Sequence, residues 1–251
     1  RKSGLTGKRE EIPMKKPAMI LFDYGQTLIA EAPFDGVAGM RALMKHAVRN
    51  KYNYTPEQLW AERKAIYRDM GRVGTDWRYK ILMETPNYMQ MNLLFESLGI
   101  EIDLPPEAMD RMLWDATSPG TPTEGIEDFL SYLSENGIRT GVVSNIAYSS
   151  RTVAERIQRL IPGHRFEFIL ASSDYIFRKP NARFFRLALE KAELKPEDVW
   201  YIGDSYLCDV VGSRNAGMFP VWYKGCAADP NGEDDALTVS SWTQLRQLME
   251  A

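Results

Sequence analysis

The sequence predicts an α/β protein: a doubly wound parallel sheet interrupted, after its first strand, by an all-helical insertion. Three observations carry that expectation. The apolar run Ala18-Met19-Ile20-Leu21-Phe22 stops at Asp23, as a strand buried on both faces does. Helical signals, with no convincing strand among them, then run to about residue 118. Beyond Pro119, helix and strand patterns alternate with short turns between them, the mark of parallel strands joined by crossover helices.

Each element has its own signal. In the insertion, Val37, Met40, Met44 and Ala47 recur at helical spacing. Thr55-Pro56-Glu57-Gln58 reads as a capping box with proline at the first helical position, opening a helix through Ile66. Tyr88, Met91, Phe95 and Leu98 form a further stripe closed by Gly99, and Pro105-Pro106 starts a shorter helix. After Pro119, Ile126, Phe129, Leu130 and Leu133 mark a helix ending at Asn136-Gly137. Strands are expected at 138–144, 168–171, 199–202 and 219–223, with helices near 150–160, 181–193 and 207–216. The chain thus divides into a core of residues 17–31 and 119–251, an inserted block of 32–118, and a flexible leader of 1–16 with six Lys or Arg.

Composition narrows the function. Apolar residues make up 44% of the 251 and charged residues 26%, a globular balance. A formal charge of −3 argues against a general nucleic-acid binder. No apolar run approaches the ~20 residues that span a bilayer, so no membrane partner is expected. Cys208 and Cys226 are too few for a disulfide framework, which suits a reducing, cytoplasmic setting. With only His46 and His164, a histidine-centred metal site or triad has little material. The chain is expected as a monomer or homodimer.

In sheets of this kind, ligands bind beyond the carboxyl ends of the strands, and four such places carry polar residues. Asp23 ends the first strand within Phe22-Asp23-Tyr24-Gly25-Gln26-Thr27-Leu28. Ser144 ends the second within Val142-Val143-Ser144-Asn145. Lys179 stands in Arg178-Lys179-Pro180, just before a helix. Gly203-Asp204-Ser205 ends a later strand, with Asp209 five positions after Asp204. Each residue also has a structural reading: Ser144 as a turn residue, Lys179 as a solvated charge, Asp204 as a helix cap, Asp209 as a first-turn acid. For Asp23 that reading is weaker, since an acid ending a buried strand needs partners.

These four pieces, in this order around an insertion of this size, resemble the motifs of the haloacid dehalogenase superfamily. The insertion resembles the cap of the branch that includes phosphoglycolate phosphatase and β-phosphoglucomutase. The resemblance implies a Rossmann-like core and a phosphohydrolase acting on a small phosphorylated metabolite. It casts Asp23 as nucleophile and Lys179 as the charge that neutralises nucleophile and phosphate. Ser144, Asn145 and Lys179 would bind the phosphate. Asp23, the carbonyl of Gly25, Asp204 and, through water, Asp209 would hold Mg²⁺. The chemistry agrees with this casting. A carboxylate attacks phosphorus only when the phosphate charge is neutralised, and Mg²⁺ prefers carboxylates and carbonyls.

One departure stands out. Phosphatases of this superfamily usually carry a second aspartate two positions after the nucleophile, where this chain has Gly25. That residue acts as general acid and base, typically a contribution of ~10²–10⁴ in rate. Three readings stay open: a substrate with a good leaving group, a proton from the cap or the substrate, or a weakly active phosphate-binding regulatory module. Carbon–halogen hydrolysis, which needs no leaving-group acid, is an alternative, though dehalogenases proper lack both Mg²⁺ and the Gly-Asp-Ser run. A phosphonate hydrolase would need a cap lysine, and Lys45, Lys51, Lys64 and Lys80 are available. Arg72, Trp77, Arg78 and Tyr79 form a polar-aromatic stretch that suits a sugar or an acidic group of a substrate.

Overall fold

The structure is a computed structural model, and it describes residues 15–74, 76–226 and 236–251. Of the leader expected at 1–16, only Lys15 and Lys16 fall within the described residues. The chain opens with β1 (Met19–Phe22), followed by a short β2 (Ile29–Glu31). Next come α1 (Gly36–Met44), β3 (Ala47–Asn50), α2 (Pro56–Asp69), α3 (Trp77–Lys80), α4 (Asn87–Ser97), β4 (Ile100–Ile102) and α5 (Pro106–Thr117). The chain returns through β5 (Gly120–Pro122), which pairs antiparallel with β2. Both ends of the intervening block therefore leave the sheet region at one place.

Strand–helix alternation follows: α6 (Ile126–Glu135), β6 (Arg139–Ser144), α7 (Ser150–Leu160), β7 (Ile169–Ala171), α8 (Ser172–Tyr175), α9 (Ala182–Ala192) and β8 (Val199–Gly203). The last elements are α10 (Gly212–Asn215), β9 (Phe219–Tyr223), β10 (Leu237–Val239) and α11 (Trp242–Glu250). Six strands form one sheet in the order β10-β9-β8-β1-β6-β7, every neighbouring pair parallel. The chain runs outward from β1 to β6 and β7, then crosses back to β8 on the other side. That reversal makes the carboxyl end of β1 the switch point, where crevices for ligands open.

Burial explains the apolar strand. Successive side chains of a strand point to opposite faces, and both faces of β1 are covered. Ile20 and Phe22 join the larger apolar core with Phe129, Ile157 and Trp242 from α6, α7 and α11. Met19 and Leu21 join a second core with Phe184, Phe185 and Ala188 of α9. Met40, Leu43, Leu59 and Met91 of the helical block belong to the larger core as well, so the block packs continuously with the layers beneath it.

The expected helix starts and stops have visible causes. Thr55 accepts from the Gln58 N–H while the Gln58 side chain accepts from the Thr55 N–H, the reciprocal cap read from the sequence. Gly99 and Gly137 end their helices with φ of 63° and 69°, a region open to glycine. Some details differ from expectation, the β2–β5 ribbon among them. The block is helical apart from β3 and β4, which pair antiparallel. These strands are short and half-exposed, so no alternation long enough to read exists there. The segment expected as a helix at 207–216 is a wide π-type turn over Tyr206–Val211 that leads into α10.

Candidate active site

Asp23 directly follows β1, and its N–H continues the ladder by donating to the Ile202 carbonyl at 2.8 Å. The backbone then curls: the Leu28 and Ile29 N–H groups both donate to the Tyr24 carbonyl, and Gln26 takes a φ of 55°. This tight loop aims the Asp23 carboxylate over the sheet end and turns the chain into β2.

Lys179 is the electrostatic centre. Its ammonium donates to Asp23 Oδ1 at 2.7 Å, Asp209 Oδ1 at 2.6 Å and the Tyr201 hydroxyl at 2.7 Å. Its side chain is 2% exposed. Burial disfavours the ammonium, but the charges of Asp209 and Asp23 outweigh that cost and hold its pKa well above the usual lysine value. The Asn145 amide fixes the backbone of Lys179 from both sides, donating to its carbonyl at 2.9 Å and accepting from its N–H at 2.6 Å. Asn145 thus positions the lysine with its side chain.

The wide turn after β8 serves Asp209. Its Oδ2 accepts from the Ser205 N–H at 2.9 Å while Oδ1 faces Lys179. The carboxylate lies so close over Gly203 that a Cβ there would meet its Cγ at 2.3 Å. Only glycine admits this approach, which gives the Gly-Asp-Ser run its physical reason. One oxygen each of Asp23, Asp204 and Asp209 lies within 4.8 Å of the others. Burial, then the charges of Asp23 and Asp209, push the Asp204 carboxyl up to about 8. Burial likewise raises Asp209 to about 6, against the pull of Lys179. Three acids facing one ammonium leave the site short of positive charge.

A cavity of 910 Å³ opens over this cluster. Asp23, Gly25, Ser144, Asn145, Lys179, Asp204 and Asp209 all line it, so the residues of the four strand-end pieces meet in one place, whereas Lys45, Lys51, Lys64 and Lys80 are not among its lining residues. Its other wall is the stretch noted in the helical block: Arg72, Trp77, Arg78 and Tyr79, joined by Trp60 and Tyr67. Cys208 also lines it, but burial pushes its thiol up to about 11, so it stays a neutral packing group.

Sequence reading missed several participants. Glu84 is fully buried and binds two arginines: Arg72 Nη2 donates to its Oε1 at 2.9 Å, and Arg178 Nη1 donates to its Oε2. Both guanidinium groups sit 5.0 Å from the centre of the Trp77 ring. Because Arg178 precedes Lys179, this junction ties the helical block to the loop that presents the lysine. On the opposite side, Arg156 of α7 donates to the Tyr24 hydroxyl, to Asp115 of α5 and to the Ser118 carbonyl, with its guanidinium over the Trp114 ring. Glu31, at the end of β2, also lines the cavity. Its Oε1 accepts from the Trp114 indole N–H at 2.8 Å, and burial, then the Asp23 charge among other causes, raises its carboxyl above the usual range. No short motif marks these residues; only the fold brings them together.

The sheet order, the switch-point acid and the lysine-centred cluster define a family. Residues 17–217 match the haloacid dehalogenase-like hydrolase family, and the chain belongs to it. The chain is 36% identical over 111 residues to haloacid dehalogenase-like hydrolase domain-containing protein 3 of Mus musculus, covering 43% of each. It is 31% identical over 127 residues to a glyceraldehyde 3-phosphate phosphatase of Pyrococcus furiosus, covering 50% of this chain and 52% of that one. It is 27% identical over 158 residues to the pyrimidine 5'-nucleotidase YjjG of Escherichia coli, covering 62% and 69%. The chain spans about half the length of the first two relatives. In fold it is similar to an HAD phosphatase from Thermococcus onnurineus, with a TM-score of 0.63 and 19% identity over 92% of this chain and 97% of that one. It is equally similar to a 2-haloacid dehalogenase from Pseudomonas syringae, with a TM-score of 0.63 and 21% identity over 94% and 99%. Among the described residues, no helix is long and apolar enough to cross a membrane.

Proposed function

We propose that the chain is a magnesium-dependent phosphohydrolase that cleaves a small phosphorylated metabolite through an aspartyl phosphate on Asp23. The observation that carries this reading is the convergence of Asp23, Asp204 and Asp209 around one buried ammonium at the mouth of the cavity. The raised proton affinity of Asp204 and Asp209 marks a place that gains from a cation. Asp23, the carbonyl of Gly25 and Asp204 would hold Mg²⁺, with Asp209 behind them. Once bound, the ion would supply positive charge against the phosphate and the carboxylates.

The chain's own residues supply the rest. An Asp23 carboxylate oxygen forms a bond to phosphorus as the ester P–O bond breaks and the alcohol leaves. Lys179 holds Asp23 by its ammonium and offsets phosphate charge as a point charge. Ser144 and the backbone near Asn145 hold the phosphate oxygens. Water then attacks phosphorus, the bond to Asp23 breaks, and inorganic phosphate departs. Residues 32–118 act as the cap over the 17–31 and 119–251 core and set substrate choice, with Trp60, Tyr67 and Trp77 shutting out water. The phosphatase and nucleotidase names of the relatives support a phosphate monoester. Two free cysteines suit a reducing, cytoplasmic setting.

The test is hydrolysis of p-nitrophenyl phosphate with Mg²⁺, with a chelator, and by Asp204→Ala. Hydrolysis should require Mg²⁺, and Asp204→Ala should lower it by ~10²-fold or more while weakening Mg²⁺ binding. Turnover that survives thorough chelation would contradict the reading and move carbon–halogen hydrolysis ahead of it.

A further inference from the structure

Position 25, where a general acid is missing, is not empty of acid chemistry. A Cβ built on Gly25 would meet one atom within 4 Å, and that atom is Glu31 Oε2 at 3.4 Å. The two oxygens of Glu31 are used differently. Oε1 accepts the Trp114 indole N–H at 2.8 Å and lies 3.8 Å from Arg156 Nη2. Oε2 is the oxygen turned toward Gly25. The carboxyl is thus anchored by one oxygen and presents the other beside the nucleophile loop. Its side chain is 19% exposed and lines the same cavity as Asp23, so a substrate can reach it.

The loop geometry makes this placement durable. Gln26 Nε2 donates to the Glu31 carbonyl at 3.0 Å, and the Gln26 N–H donates to the Ile29 carbonyl at 2.7 Å. Glu31 also pairs with Gly120 in the β2–β5 ribbon. A residue six positions from Gly25 is thereby folded back onto it. Because Gly25 has no side chain, the space a β-carbon would claim stays open in front of Glu31.

Resting on the phosphohydrolase reading above, we propose that Glu31 is the general acid and base of this site, taking the place of the missing side chain at position 25. In the first half-reaction, protonated Glu31 gives its proton to the leaving oxygen as the ester P–O bond breaks and the Asp23–phosphorus bond forms. In the second, the Glu31 carboxylate takes a proton from the water that attacks the aspartyl phosphate. The bond to Asp23 then breaks, inorganic phosphate leaves, and Glu31 is protonated again. The sum is one ester and one water converted to alcohol and phosphate.

The experiment compares wild type, Glu31→Gln, Glu31→Asp, Asp23→Asn and the double variant Glu31→Gln/Gly25→Asp. Each is assayed with Mg²⁺ on an aryl ester, p-nitrophenyl phosphate, and an alkyl ester, glycerol phosphate. Glutamine keeps an acceptor for Trp114, so folding, checked by circular dichroism, should persist. Single-turnover phosphorylation of Glu31→Gln should fall ~10²–10⁴-fold with the alkyl ester and less than about threefold with the aryl ester, which needs no proton. Glu31→Asp should recover part of the alkyl rate. In the Glu31→Gln background, Gly25→Asp should restore at least about tenfold, because the new carboxyl enters the space Glu31 served. A merely structural Glu31 would lower both esters by the same factor and show no rescue, and that result overturns the proposal. Asp23-dependent aryl hydrolysis combined with such equal losses would overturn the role of Glu31 alone. Activity unaffected by Asp23→Asn, or no phosphatase activity in any protein, would sink the phosphohydrolase reading and the proposal with it.

Discussion

Lys179 shows how much one side chain can organise. Its three donors are all spent, on Asp23, Asp209 and Tyr201, and an ammonium has no more to give. Removing one member of a buried charge set leaves the others uncompensated, typically at a cost of ~3–5 kcal/mol. Lys179→Met, close in volume, should therefore lower stability in Mg²⁺-free buffer by about that much and cut phosphatase activity at least ~10²-fold. Urea titrations and p-nitrophenyl phosphate assays check both; an active, equally stable variant would remove Lys179 from its central place. Legibility at this scale was uneven. Asp23, Ser144, Asn145, Lys179 and Asp204 were readable because each sits near a strand end or a helix start, Asp209 because it follows Asp204 by five positions, and all line the cavity. Glu31, Glu84, Arg156 and Tyr201 were not, because the side chains that anchor them lie from 12 to 132 positions away in sequence.

At the scale of elements, strong local signals fared best. The capping box at Thr55, the glycine ends at Gly99 and Gly137, and the strand at Phe219–Tyr223 all stand where propensity puts them. The β2–β5 and β3–β4 ribbons escaped because, unlike the equally short β1 and β7, they are not continuous apolar runs, and three or four residues carry no readable period. The turn at Tyr206–Val211 escaped because side-chain bonds of Asp209 override the helical pattern. The helical block also hides a polar relay. Arg63 of α2 donates to the Asn87 amide oxygen at 2.6 Å, and Asn87 Nδ2 donates to Asp110 of α5 at 2.6 Å. Burial pushes the Asp110 carboxyl up to about 6 despite these partners, above the ~3.9 of an unfolded chain. The native state then binds more protons than the unfolded state between those values. Stability should fall as pH rises from about 4 to about 6, and the cost persists at neutral pH. Asp110→Asn keeps an acceptor for Asn87 and removes the ionisation. It should be more stable than wild type at pH 7 by about 1–2 kcal/mol, with the gap closing toward pH 4. Urea unfolding at both pH values checks this; a wild type more stable at pH 7 would show that Arg63 outweighs burial.

For the whole molecule, a parallel sheet and a helical block enclose one charged cavity from two sides. The block shares the larger apolar core with α6, α7 and α11. It is pinned by Glu84 between Arg72 and Arg178 on one flank, and by Asp115 and Ser118 on Arg156 at the other. These buried junctions hold Asp23, Lys179 and the aromatic wall in register, the orientation that the proposed phosphoryl transfer needs. The proposed function requires Asp23 to be a phosphoryl acceptor. The most direct measurement is mass spectrometry of peptides from protein quenched in acid during a single turnover with p-nitrophenyl phosphate and Mg²⁺. One phosphoryl group should appear on the peptide holding Asp23, form and decay at rates matching turnover, and be absent from Asp23→Asn. Phosphate on any other residue, or turnover in ¹⁸O-water that leaves the heavy oxygen in the Asp23 carboxylate, would contradict the account.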